Sequence, residues 1–85
     1  MKDQYYLALL YRMADTGVQY ILTQETDHET MAFTQYKGLK DWAETNFLID
    51  AWLIVLFFEG NAIQHHGHNE KQLEKPFWEP ESKGN

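Results

Sequence analysis

The pattern of apolar and polar positions divides the chain into four stretches. In residues 3–14, Tyr6, Leu9, Leu10, Met13 and Ala14 recur at helical spacing. Gln4, Ala8, Arg12 and Asp15 fall on the other side, and Gly17 supplies a stop. The period then changes. "VQYILTQ" (18–24) and "TMAFTQYKG" (30–38) are rich in β-branched and aromatic residues, which suit strands. The polar "ETDHE" (25–29) joins them, so the pattern predicts a β-hairpin with its tip there. Thr23, Thr26, Thr30 and Thr34 weigh against a continuous helix through this region. From 39 to 59 the period is helical again. Asp41 and Glu44 sit in its early turns, and Gly60-Asn61 closes it.

The predicted fold is therefore α+β: helix, β-hairpin, long helix (αββα-like), in one compact domain over residues 1–64. An all-α helical hairpin is the alternative. Residues 65–85 read as a polar tail that holds both prolines. A helical turn or two is expected over 69–75, and mobility from about Glu79 onward.

One stretch stands out. "FLIDAWLIVLFF" (47–58) has eleven apolar residues of twelve, interrupted only by Asp50. Read as helix, it places Leu39, Ala43, Asp50, Leu53, Ile54 and Phe57 on an inner face. Leu48, Trp52 and Val55 fall on the opposite face, beside Asp41, Glu44, Thr45 and Glu59. A helix apolar all round is buried all round. A hairpin and one short helix cannot cover every side. Leu48, Trp52 and Val55 therefore become the expected interaction surface, met by a second copy, by another protein or by the chain's own tail. The strip is too short to span a bilayer, which needs roughly 20 apolar residues. Its acid would cost about 3 kcal/mol at the membrane centre.

Composition sharpens this picture. Of the 85 residues, 44% are hydrophobic and 15% aromatic, a heavy apolar load for so small a chain. Self-association, most simply as a homodimer, is the expected relief. Net charge is −6, and Arg12 is the sole arginine, so no basic stripe exists for nucleic acid or for an anionic membrane surface. A protein with a basic surface suits this charge better. There is no cysteine, hence no disulfide framework, thiol nucleophile or Cys-ligated zinc, which fits a cytoplasmic setting. The N-terminus lacks the continuous apolar core of a signal peptide.

Five groups could carry chemistry. Asp15-Thr16-Gly17 resembles, over three residues, the catalytic triplet of retroviral-type aspartic proteases. That family is nearly all β, and here the triplet follows a helical pattern, so it reads as a helix end. His65, His66 and His68 are weak candidate metal ligands, since imidazole suits zinc, copper or nickel. Gly67 between them spoils a rigid helical site. Glu25, Asp27 and Glu29 form an acidic tip for a basic pocket. Phe77 and Trp78, between the prolines, could anchor in a partner's groove or fold back onto their own chain. Asp50 needs a partner wherever it is buried, and Arg12 is the candidate.

No nucleophile–base pair, phosphate loop or pair of acids emerges, so no enzyme and no cofactor is expected. The reading is a small acidic protein-binding module of the inhibitor, immunity-factor or adaptor kind. A phage or mobile-element origin is analogy. The alternative is a metal-responsive or small-ligand-binding protein that uses the histidine cluster.

Overall fold

A computed structural model describes residues 4–74. Four strands and one helix follow in the order β1 (Tyr5–Met13), β2 (Gln19–Thr26), α1 (Glu29–Thr45), β3 (Ile49–Phe58) and β4 (Asn61–His68), and a single 3₁₀ turn spans Glu70–Gln72. The strands form one sheet in the order β2-β1-β3-β4, antiparallel at every junction. α1 packs on one face, over β3, β1 and β2. This is an α+β arrangement, with the helix segregated to one side of an antiparallel sheet.

The helix–hairpin–helix expectation is overturned, and so is the all-α alternative. Residues 5–13 are strand β1, and the long helix expected over 39–59 is the end of α1, a short loop at 46–48 and the whole of β3. The physical reason is common to both. A strand buried on both faces is apolar at nearly every position, so its sequence satisfies a helical spacing as readily as an alternating one. Leu7, Leu9, Ile54 and Leu56 face α1, while Ala8, Leu10, Leu53 and Val55 face the other way, and all eight are buried. The strip at 47–58 is thus mostly the central strand β3, sealed on both sides and hydrogen-bonded along both edges.

The predicted hairpin is half right in its elements and wrong in its connection. Residues 19–26 are strand β2, but its partner is β1, and 30–38 belong to α1. Ala32, Tyr36 and Ala43 bury along one helical stripe against the sheet, with Phe33 and Leu39 beside them. Thr30 and Thr34 are exposed, where a threonine costs a helix only tenths of a kcal/mol. The Thr26 hydroxyl accepts the His28 N–H at 3.1 Å and turns the chain from β2 into α1.

The turns follow backbone chemistry. Gly17 (φ 73°) closes the β1–β2 connection, donating its N–H to Met13 O at 2.8 Å. Glu59 and Gly60 both have positive φ, as a two-residue type I′ hairpin requires, so they join β3 to β4 rather than ending a helix. The second face of the sheet carries Leu10, Ala51, Leu53, Val55, Phe57 and Leu73. The segment after β4 crosses that face at one end. Asn69 donates to Asp50 O (2.9 Å), Arg12 to Gln72 Oε1 (3.2 Å), and Gln19 and Glu74 exchange two hydrogen bonds of 2.8 and 2.9 Å. Gly67 leaves room for the Glu70 side chain, which would collide with any Cβ there.

Candidate protein-binding surface

Strand direction gives the molecule two unlike ends. At one end lie the β1–β2 turn, the end of α1 and the α1–β3 loop. Met13 N–H donates to Val18 O (2.9 Å) and Ala14 N–H to Leu48 O (2.8 Å), which holds the turn and the loop together. Asn46 Oδ1 accepts the Leu48 N–H at 3.0 Å and shapes the loop. Tyr11 stacks on Tyr20 with ring centroids 5.5 Å apart and meets Trp42 edge-on at 5.3 Å. Tyr20, Val18 and Leu48 remain about half exposed, Trp42 is 40% exposed and Phe47 is 90% exposed. Of the eight large apolar residues left exposed among the described residues, these five gather here. Clustered aromatic and aliphatic exposure of this kind marks interaction sites, whereas scattered apolar residues do not.

The other end is acidic. Glu25, Asp27, Glu29 and Glu59 surround the β2–α1 connection and the β3–β4 turn, all exposed. Burial, then the Glu29 and Glu59 carboxylates, holds the Tyr5 phenol above its ordinary range. Asp27 lies 3.4 Å from His28 Nε2. Glu25, Asp27 and Glu29 do not crown a hairpin tip. These three sit where β2 runs into α1, and Glu59 in the β3–β4 turn lies beside them.

Along one side, α1 leaves β4 uncovered, and all eight β4 residues are exposed. Two clefts open between them. One, about 330 Å³, is lined by Phe33, Tyr36, Lys37, Lys40, Gln64 and His66. The other, about 370 Å³, reaches from His66 and His68 past Trp52 to Phe47. The Tyr36 hydroxyl is buried without a hydrogen-bond partner, and burial pushes its pKa up to about 12.

The remaining sequence candidates fall as follows. Leu48, Trp52 and Val55 do not share a face. Leu48 is in the exposed loop, Trp52 is buried toward α1, and Val55 is buried on the opposite side of the sheet. The reason is the two-residue period of a strand, which sends neighbours to opposite faces. Arg12 Nη1 and Asp50 Oδ2 pair at 2.6 Å, both half-buried. The pair sits at the β1–β3 bulge and so ties two strands rather than two helices. His66 and His68 lie across from Ile54 and Trp52 on the helix side, and His65 lies across from Val55 on the other. Among the described residues no three His, Asp or Glu side chains converge as metal ligands. Asp15, Thr16 and Gly17 form the exposed β1–β2 turn, where Thr16 Oγ1 accepts the Val18 N–H at 3.2 Å. Phe77 and Trp78 lie outside the described residues. No helix among the described residues is long and apolar enough to cross a membrane.

Comparison with protein-family models, with curated proteins and with solved structures gives no match. The aromatic end was missed in the sequence because its members come from four separate segments. The one local signal was Trp42, an aromatic residue inside the polar run "KDWAET".

Proposed function

We propose that this chain is a small acidic protein-binding module, of the inhibitor, immunity-factor or adaptor kind, that works by contact rather than by catalysis. Its docking surface is the aromatic end formed by Val18, Tyr20, Trp42, Phe47 and Leu48. The observation that carries this reading is their joint exposure at one end of a chain whose core residues are already buried. Tyr and Trp contribute large contact areas at low entropic cost and dominate binding energies at interfaces. The acidic opposite end favours a partner with a basic surface, because complementary charge speeds encounter. A cytoplasmic setting and a phage or mobile-element origin belong to the same proposal.

The test is paired capture. Wild-type chain and a Phe47→Asp/Leu48→Asp variant serve as baits, matched by circular dichroism. Both residues are exposed, so the fold should survive. The reading expects a protein retained by the wild type and recovered at least ~10-fold less by the variant, the loss of about 1.4 kcal/mol of binding. Equal recovery on both baits would remove the aromatic end as the docking surface.

A further inference from the structure

We propose that a second copy of this chain pairs along β4, joining two four-stranded sheets into one continuous antiparallel sheet. This takes up the self-association expected from the composition, goes beyond the proposed function and does not depend on the aromatic end.

β4 is eight residues long, exposed throughout, and ends the sheet. Among the described residues it pairs with β3 alone. An edge strand presents a row of N–H and C=O groups that will template another strand unless lysine, proline, a charge, a bulge or a covering element prevents it. The bulge in β4 is confined to Ile63 and leaves Gln64 to His68 in regular register. "NAIQHHGH" contains no Lys, Arg, Asp, Glu or Pro. The other edge is managed differently. β2 carries Glu25, α1 packs against it, and Glu74 is bound to its Gln19.

Charge and symmetry select the second copy as occupant. Copies of a chain with net charge −6 repel wherever their carboxylates meet. β4 brings no carboxylate of its own. The helix flank beside it lines the cleft with Lys37 and Lys40, each paired one turn on, with Asp41 at 3.6 Å and Glu44 at 3.4 Å. A twofold axis perpendicular to the sheet makes an edge strand antiparallel to its copy, which continues the pattern of every existing junction. A register centred on Gln64 or His65 sets the axis residue opposite its own copy, and one centred on His65 sets Gln64 opposite His66 on the helix side, while the bulge at Ile63 breaks the alternation farther out. Both α1 helices then lie on one side, and the two clefts merge into a groove floored by Gln64 and His66 of each protomer.

The chain has no cysteine, so single cysteines report proximity without background. Molar mass by light scattering is followed over a dilution series for the wild type, for Ile63→Lys/His65→Lys and for Phe47→Asp/Leu48→Asp. Disulfide formation is scored in Gln64→Cys, His65→Cys and Phe47→Cys. The proposal expects about 20 kDa at high concentration, twice 10.1 kDa, falling on dilution. The lysine variant, mutated only at exposed positions, should stay monomeric with an unchanged circular-dichroism spectrum. Cross-linking should occur at position 64 or 65 and not at 47, because only residues near the axis approach within about 7 Å. A wild type monomeric throughout overturns the proposal. So does a dimer that survives the lysines, a dimer lost through Phe47→Asp/Leu48→Asp, or cross-linking that omits both β4 positions.

Discussion

Truncation of Val55 to alanine isolates the claim that β3 is sealed on both faces. Val55 is fully buried on the face away from α1, where Leu53 is also fully buried and Leu10 is 4% exposed. Val55→Ala removes two carbon atoms from a closed site. Transfer contributes about 0.8 kcal/mol per group, and the residual cavity adds to it, giving about 2–3 kcal/mol. For a domain of this size each kcal/mol moves Tm by roughly 4–8 °C, so a fall of roughly 8–24 °C is expected. Ile54→Val, on the helix-side face of the same strand, should cost about 1 kcal/mol. Ile63→Ala, about half exposed on β4, should cost well under 1 kcal/mol. Urea unfolding followed by tryptophan fluorescence measures all three. If Val55→Ala costs under about 0.5 kcal/mol while Ile54→Val costs its full share, the second face is open and the two-sided burial is wrong.

Two other residues give sharp expectations. Arg12 and Asp50 pair at 2.6 Å but are about one-third exposed, so solvent screening holds their coupling to about 1 kcal/mol in a double-mutant cycle of Arg12→Met and Asp50→Asn; coupling indistinguishable from zero would make the contact energetically empty. Tyr36 favours its neutral phenol in the folded chain, since its pKa rises from 10.0 to about 12 through burial. The stability this contributes is intact below pH 10 and declines as pH rises through 12. Tyr36→Phe should remove that alkaline decline and leave stability at pH 7 equal or higher, because the lost hydroxyl has no hydrogen-bond partner. Denaturation of both chains from pH 8 to 12 decides it, and parallel pH profiles would place the hydroxyl in contact with solvent.

Much of the local grammar was legible. Residues 18–24 read as strand, and an acid in an apolar strip as a group in need of a cation, whereas Gly17, read as the end of a helix, closes a turn between two strands. What failed was the assignment of 5–13 and 47–58. Tyr6, Leu9, Leu10 and Met13 satisfy helical spacing, yet Leu7 and Ala8 between them and Tyr5 before them are buried as well, and a strand covered on both faces accounts for the run Leu7 to Leu10. The boundary at 46–48 was hidden because no glycine or proline separates α1 from β3. Asn46 alone marks it, by accepting the Leu48 N–H. The error carried forward into function. A helical period placed Leu48, Trp52 and Val55 on one face and made them a docking site, whereas the strand buries two of the three. The exposed apolar surface instead comes from segments brought together by the sheet register, and no linear pattern encodes that.

Amide hydrogen exchange resolved by NMR on the isolated chain tests the central claim most directly. With β3 as the central strand, the amides of Leu53, Ile54, Val55 and Leu56 should exchange only through global unfolding, as should those of Leu7 to Leu10. The outward-facing amides of β4 should exchange orders of magnitude faster where no second copy covers them. Fast exchange across 53–56, or protection running unbroken from 39 to 59 as in one long helix, would contradict the fold and the surfaces drawn from it.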